Sequence, residues 1–334
     1  MVPTILLALW SFTPQMGFLL PKIAVMATGA VAYALRTKPR ALVLLAIMAA
    51  STLTSIAPSV SFYGYPDFWT YGLLPVTFFC VLTTISTGKD WLKWAGVALS
   101  VHALAQIAGL DPFVSAEKLQ FGRAVAYNGS PVDLGAILAM AAPLAGGWLP
   151  LVLAGIWATG SRGALLAVAF AMGSKRVRLL LLPLLFVPLF LKAPKDVARV
   201  EMYKMAWSGF LERPFLGHGP NTFAFIFTER KTPRLVEAVG SAYLQQHAHN
   251  DILEALCSVG LLGLAAYLFM VWPMLRSQSL VALFVILKYN PVSFEVLCVA
   301  ALIAAQLDEP VKESSPAMRA CFPCSTYPSA SEAA

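Results

Sequence analysis

Charged side chains are scarce in this chain. Asp, Glu, Lys and Arg make up 12% of its 334 residues, whereas soluble domains carry about 25%. Hydrophobic residues make up 58%, and the mean hydropathy is +0.71. Most of the chain is therefore expected to lie in lipid. The composition predicts a polytopic membrane protein, an all-α bundle of transmembrane helices.

Common nucleotide-binding and metal-binding motifs are also absent. The chain has no GxxxxGK[ST] phosphate loop, no HExxH pair and no Asp-x-Asp pair, and its first acidic residue is Asp67. These absences argue against two kinds of active site. One binds a sugar nucleotide through a metal ion, and the other uses an acidic motif in the first loop on the outer side of the membrane. Transfer from a lipid-linked donor, without a metal or cofactor, fits the chain better.

The basic residues do not indicate a nucleic-acid partner. The formal net charge is +7, but Lys and Arg lie in short loops between apolar runs, which is the positive-inside pattern of membrane proteins. Of the five cysteines, Cys321 and Cys324 have CxxC spacing but stand alone in a polar tail, without the further ligands that zinc needs. We expect membrane lipids as partners and no metal.

Apolar runs divide the chain into about 12 candidate membrane spans. They lie at 2–18, 20–35, 41–57, 69–87, 92–110, 131–147, 149–160, 163–174, 178–192, 250–272, 278–289 and 292–306. We expect residues 1–306 to form a single membrane domain with one large hydrophilic loop at 193–249. The remaining residues, 307–334, are rich in Ser, Pro and Ala, which predicts a disordered cytoplasmic tail.

Clusters of Lys and Arg orient these spans. With an even count of spans, four basic loops and both termini fall on the cytoplasmic side. The loops contain Arg36, Lys38, Arg40, Lys89, Lys93, Lys175, Arg176, Arg178 and Arg276. The opposite side is the periplasm if the chain lies in a bacterial inner membrane. It then holds the segment 111–130, a polar break at Arg162 and the loop 193–249.

The large loop contains a predicted amphipathic helix. Apolar residues from Val200 to Leu211 follow helical spacing, and the helix is expected to begin at Arg199. It should end near Arg213, because the residue before Pro214 disfavours helix. Such a helix lies on the membrane surface or covers the core.

His249 is the first candidate for chemistry. Asn250, Asp251 and Glu254 have the spacing of a helix start, so His249 lies at the N-terminus of an apolar helix that emerges from the membrane. The helix dipole favours a neutral imidazole there, although Asp251 acts in the opposite direction. A neutral imidazole suits a general base. The alternative is a histidine that only caps the helix or lies at the interface.

The other histidines and the glycines of this helix carry weaker expectations. His247 is a candidate for supporting His249 or for contacting an acceptor, whereas His102 and His218 are expected to have structural roles. Gly260 and Gly263 form a small-residue face that lets another helix approach closely.

Three arginines on the outer side are candidates for binding a pyrophosphate. Arg162, between Ser161 and Gly163, interrupts an apolar run, where a guanidinium group needs a partner or a water-filled cavity. Arg123 and Arg199 lie in the outer loops, and the alternative for both is an ordinary loop charge. Guanidinium groups bind phosphate in a bidentate manner, so convergence of two or three on one cavity would suit a pyrophosphate.

With these residues, the chain resembles the O-antigen ligase / O-antigen polymerase C-terminal family of bacterial envelope enzymes. The ligase signature of that family is His, then Asn, Ser or Gln, nine residues, Gly, two residues and Gly or a similar residue. The chain has His249-Asn250, residues 251–259, Gly260, two residues and Gly263. Further pieces match in the same order at 123–143, 159–164 and 199–219, so the resemblance covers about residues 90–275.

The resemblance implies a fold of the GT-C class and an inverting glycosyl transfer that needs no metal. The donor would be a glycan on undecaprenyl pyrophosphate. The acceptor would be a sugar hydroxyl, on lipid A–core for a ligase or on a second lipid-linked repeat for a polymerase. Arg162 and Arg199 would hold the pyrophosphate, and His249 would activate the acceptor. The secondary candidates are Arg123, His247 and Asn250.

Two further readings stay open beside ligase and polymerase. A transporter for lipid-linked glycans would share the many spans and the basic cavity. It would not need a histidine at a helix N-terminus beside a large outer loop, and it would tend to show internal repeats, which the sequence lacks. The second alternative is a relative of these enzymes that has no catalytic activity. The histidine motif favours a ligase.

Overall fold

The computed structural model describes residues 39–64, 72–83, 90–111, 122–126, 130–181, 194–288, 290 and 292–308. Within these ranges the chain is helical and has no strand, which confirms the predicted all-α fold for this part of the chain. The helices are α1 (Pro39–Leu53), α2 (Pro58–Tyr63), α3 (Leu73–Leu82), α4 (Trp91–Ile107), α5 (Pro131–Ala141), α6 (Leu149–Ala158), α7 (Arg162–Met172), α8 (Lys175–Leu181), α9 (Pro194–Glu212), α10 (Phe223–Glu229), α11 (Pro233–Val239), α12 (Asp251–Val271), α13 (Gln278–Leu287) and α14 (Phe294–Ala305).

One helix in the described ranges is long and apolar enough to cross a membrane by itself. It is α12 together with the 3₁₀ turns that follow it, Asp251–Arg276, which has 26 residues and a mean hydropathy of 2.0. The other apolar helices have 10–17 residues, so the count of about 12 spans stays a prediction. The spans at 2–18 and 20–35, most of 178–192, and residues 309–334 of the tail lie outside the described residues.

Large apolar side chains cover much of the outside of the bundle. Trp157 is 68% exposed and Trp272 is 70% exposed, and Trp94, Trp148 and Phe269 are also exposed. Soluble proteins rarely expose apolar side chains on this scale, and Trp is enriched where helices meet the membrane interface. The surface therefore suits contact with lipid, as the composition predicts.

Helix α5 lies at the centre of the bundle. Every residue from Asp133 to Ala141 is buried, and α5 packs against α4, α6, α7 and α13. Around it α7 packs along α13, and α12 packs along α1. Most of the buried residues of α5 are small or aliphatic. Small side chains let neighbouring helices approach closely and pack through van der Waals contacts.

Polar caps fix where several helices begin. Ser130 accepts a hydrogen bond from the main-chain N–H of Asp133 and precedes Pro131, the first residue of α5. Ser161 caps α7 in the same way, and Ser277 caps α13. A side-chain oxygen at this position satisfies a backbone donor that the helix leaves unpaired.

The long loop folds into a layer with a core of its own. Its buried side chains come from α9, α10 and α11 and from Ala248 and Cys257, and α9 packs against α12. Helix α9 begins at Pro194, earlier than predicted, and ends at Glu212, as the Arg213-Pro214 pair predicts. It covers the core with Met202, Met205 and Ala206, while Trp207 is exposed.

Candidate functional site

The histidine loop, residues 247–250, leads into the N-terminus of α12. Asn250 is the capping residue, and its Oδ1 accepts hydrogen bonds from the N–H groups of Ile252 at 3.1 Å and Leu253 at 3.3 Å. His249 is half-buried and has a φ of +55°, a left-handed conformation that is uncommon for residues other than glycine. The hydroxyl of Tyr203 donates to its main-chain carbonyl at 3.3 Å. The backbone of His249 is thus fixed from both sides.

A buried carboxylate lies under this loop. Glu254 Oε2 accepts the main-chain N–H of Ala248 at 2.8 Å, and Oε1 accepts the hydroxyl of Ser258 at 3.1 Å. His247 Nδ1 lies 4.0 Å from Oε1. The sequence spacing predicts that Glu254 takes part in a capping box. Instead, it binds the chain two residues before the Asn250 cap and holds the histidine loop against α12.

Removing the Glu254 carboxylate should therefore loosen the histidine loop. Glu254→Ala leaves two buried donors without their acceptor, which costs about 1–3 kcal/mol each when nothing replaces it. We expect a lower thermal unfolding temperature and, if the loop carries the chemistry, a loss of turnover. Glu237→Ala, which removes an exposed carboxylate from α11, is the control. Equal unfolding temperatures for the two variants would contradict the anchoring role.

His247 lies against His249 and away from solvent. It is 2% exposed. Burial, with a smaller contribution from the neighbouring His249, lowers the pKa of His247 to about 3. Its imidazole is therefore uncharged at neutral pH. An uncharged, enclosed imidazole can support the position of His249 but cannot supply positive charge to a ligand.

Gly260 breaks α12 instead of forming a smooth packing face. Its φ of +68° and ψ of −168° are not helical. The segment 214–219 crosses the break and binds the exposed backbone. Leu261 N–H donates to Pro214 O at 2.7 Å, and His218 N–H donates to Cys257 O at 3.0 Å. Broken backbone is tolerated at membrane depth only where protein satisfies it in this way.

The structure thus corrects the expected role of the two glycines. A loop segment, and not another helix, approaches Gly260, and a β-carbon there would lie 2.3 Å from Phe215 O. A β-carbon on Gly263 would meet the side chain of Val259, in its own helix, at 2.2 Å. His218 has the structural role predicted for it. It is buried, and its Nε2 is paired with Gly209 O at 2.9 Å.

Arg199 lies on the face of α9 that looks toward the histidine loop. It is one helical turn before Tyr203, whose hydroxyl reaches His249 O, and residues four apart share a helix face. The charge of Arg199 also acts on Tyr243, the residue that packs edge-on against Phe227. The structure therefore places Arg199 on the same face of α9 as Tyr203, which contacts the histidine loop.

Arg162 lies at a second polar feature, the arginine break, residues 159–162. Here the turn Thr159–Ser161 separates α6 from α7, and Arg162 is the exposed first residue of α7. Arg123 lies on the same turn, because its Nε donates to Thr159 O at 2.7 Å. The two short apolar segments predicted on either side of this break, 149–160 and 163–174, are present as the helices α6 and α7.

The end of α13 joins the arginine break to the histidine loop. Asn290 Nδ2 lies 3.9 Å from the position of a β-carbon on Gly163. Lys288, just after α13, is close enough to Asp251 for their charges to interact. Tyr267 holds Asp251 by a hydrogen bond of 2.9 Å. The arginine break and the start of α12, which follows the histidine loop, therefore both lie near the C-terminal end of α13.

An apolar cavity of about 130 Å³ lies beside this region. Met48, Met270 and Leu283 are among the side chains that line it, and Asp251 and Glu254 lie at its polar end. In the part of the chain that the structure covers, no three His, Cys, Asp or Glu side chains are grouped so that they could hold a metal ion.

Sequence reasoning missed four of these residues as parts of the site. These residues contact or face either the histidine loop or the first turn of α12. They are Tyr203, Glu254, Tyr267 and Lys288. A charge close to an apolar run is a functional signal in a membrane protein, and it was available for Glu254 and Lys288. The two tyrosines gave no signal, because their partners are distant in the sequence.

Within the described residues, the fold and site define a helical protein with a polar region built around a histidine at a helix start. Residues 189–268 match the model of the family described as O-antigen ligase. The matched segment comprises 80 of the 334 residues and agrees with the resemblance indicated by the sequence. The matched family is one of membrane proteins that comprises ligases and polymerases of the O-antigen type. The matched segment contains Arg199, the histidine loop and Gly260. No curated protein matches the chain.

Proposed function

We propose that the chain is an O-antigen ligase, a glycosyltransferase that moves a glycan from undecaprenyl pyrophosphate to a sugar hydroxyl of lipid A–core. The observation that carries the proposal is the backbone of His249, which Tyr203 of α9 contacts within the segment that matches the family; Arg199 lies one helical turn before Tyr203. The imidazole of His249 can accept a proton, and the guanidinium group of Arg199 can bind an anion. Glycosyl transfer from a pyrophosphate donor requires both functions.

In the proposed reaction, His249 removes the proton of the acceptor hydroxyl as its oxygen attacks C1 of the donor sugar. The bond between C1 and the pyrophosphate oxygen breaks, and the configuration at C1 inverts. Arg162 and Arg199 stabilise the charge that develops on the leaving pyrophosphate. Arg123 stands beside Arg162, and His247 and Asn250 support the position of His249.

The membrane arrangement is part of the same proposal. Residues 1–306 form one membrane domain in the bacterial inner membrane, the loop 193–249 and the site face the periplasm, and 307–334 form a cytoplasmic tail. The apolar cavity near Asp251 would take part of the undecaprenyl chain, since its lining is almost entirely aliphatic, aromatic or methionine.

Arg162→Lys should lower the transfer rate about tenfold to a hundredfold, because an ammonium group keeps the charge but loses bidentate contact with the pyrophosphate. The rate is measured with purified protein and saturating acceptor. Arg276→Lys changes an exposed arginine at the end of the 3₁₀ turns that follow α12 and should leave the rate unchanged. A wild-type rate for Arg162→Lys would indicate that Arg162 has only a structural role.

The function itself is tested with purified protein in detergent, an undecaprenyl-pyrophosphate glycan, rough lipopolysaccharide and EDTA. Product that depends on the added lipopolysaccharide supports a metal-independent ligase. Lengthened lipid-linked glycan without labelled lipopolysaccharide would make the protein a polymerase. The absence of both products would contradict the proposal and favour transport.

A further inference from the structure

A cleft of about 550 Å³ lies on the long loop, apart from the charged residues of the proposed reaction. One wall is α10, and the other is the segment 244–246 that leads into the histidine loop. Phe225 and Leu244 contribute exposed apolar surface, at 42% and 65% exposure. Thr228, Glu229, Gln245 and Gln246 contribute polar groups.

The polar groups of the cleft are oriented by the protein. The hydroxyl of Tyr243 donates to Gln245 Oε1 at 2.9 Å, so the amide NH₂ of Gln245 is the end directed away from Tyr243. The hydroxyl of Thr228 donates to Ala224 O at 2.8 Å, which leaves its oxygen lone pairs as acceptors. The cleft thus offers amide donors together with hydroxyl and carboxylate acceptors.

This lining suits a glycan better than the other ligands available to a membrane enzyme. None of the described side chains that line the cleft is Lys or Arg, and the carboxylate of Glu229 would repel a phosphate. The polar groups would be left unpaired against a lipid chain, which is costly. A sugar ring has hydroxyls for the amides and carboxylate, and an apolar C–H face for an aromatic ring such as Phe225.

The cleft is also placed next to the proposed reaction. Gln246 is followed directly by His247. Tyr243, which orients Gln245, is close enough to Arg199 for the charge of Arg199 to act on its hydroxyl. The wall of the cleft formed by residues 244–246 is therefore continuous in the chain with the histidine loop. The position of the cleft suits sugars near the reacting end of the donor or the acceptor.

We propose that the cleft between α10 and residues 244–246 is a carbohydrate-binding subsite that positions a glycan for transfer at His249. The subsite rests on the proposed glycosyltransferase function. Phe225 stacks on a sugar ring, and Gln245 and Glu229 bind its hydroxyls. The donor and acceptor glycans share this chemistry, and the kinetic experiment distinguishes them.

The test compares Phe225→Ala and Gln245→Ala with Leu211→Ala, which removes an exposed apolar side chain of α9 outside the cleft. In full-length protein, both cleft variants should raise the KM for one substrate about tenfold, as loss of a central contact does, with little change in kcat. An affected donor KM assigns the donor glycan, and an affected acceptor KM assigns the acceptor. Unchanged values for both substrates would overturn the proposal.

A binding measurement separates this subsite from the reaction. Saturation-transfer NMR with a phosphate-free core oligosaccharide, and separately with the oligosaccharide released from the donor, should detect binding of one of them to wild type and not to Phe225→Ala. Such binding without any transfer would retain the subsite and reject the ligase. Transfer with identical binding by wild type and Phe225→Ala would reject the subsite and retain the ligase.

Discussion

His249→Ala is expected to lower glycan transfer by about 10²–10⁴-fold while the protein still folds and inserts. The contacts that fix this position use the backbone of His249 and the side chain of Asn250, so removal of the imidazole leaves them in place. General acid–base catalysis by one side chain contributes about 10²–10⁴-fold, and transfer should fall by that factor. The measurement is the initial rate of labelled lipopolysaccharide formation.

His249→Asn is the matched control for the backbone. His249 has a φ of +55°, and Asn tolerates the left-handed region better than most residues. This variant should therefore match the wild-type unfolding temperature and show the same loss of transfer. If either variant transfers glycan at the normal rate, His249 has no part in the chemistry and only shapes the loop.

Gly260→Ala is expected to be the most damaging substitution for the fold. Gly260 has φ +68° and ψ −168°, a region essentially restricted to glycine, where a side chain costs about 1–3 kcal/mol. The added carbon would also lie 2.3 Å from Phe215 O. Overpacking adds about 1–3 kcal/mol. Against a total stability of about 5–15 kcal/mol, this change should greatly reduce the yield of folded protein and displace the segment 214–219.

Two other glycines separate the causes of that effect. Gly240 has a φ of +88° and nothing within 4 Å of a β-carbon, so Gly240→Ala has only the conformational cost. Gly147 has open space and no such φ, so Gly147→Ala should be nearly neutral. The readout is thermal unfolding followed by size-exclusion chromatography. If Gly260→Ala and Gly240→Ala lose the same stability, the close approach of Phe215 is not part of the cost.

Local signals in the sequence located most helix ends within the described residues. The Arg213-Pro214 pair ends α9, and Asn250 caps α12, because these effects involve neighbours in the chain. The start of α9 was predicted too late. Its first turn is polar, and hydrophobic periodicity gives no signal in a polar segment.

The pairing of distant residues was outside the reach of sequence patterns. The spacing of Gly260 and Gly263 is the same whether a helix or a loop approaches them, and only the fold brings the segment 214–219 to the break. Likewise, Glu254 has the spacing of a capping residue. In the structure, its carboxylate accepts the N–H of Ala248, just before the left-handed residue His249.

The sequence by itself determined the helical class, the family resemblance and the residues with reactive or charged side chains, since composition, periodicity and a motif with fixed spacing are all local properties of the chain. The tertiary structure decided which of these residues meet. Packing of α13 along α7 and of α9 against α12 sets the positions of the arginine break and of the helix that carries Arg199, because contacts between helices depend on facing surfaces from distant parts of the chain.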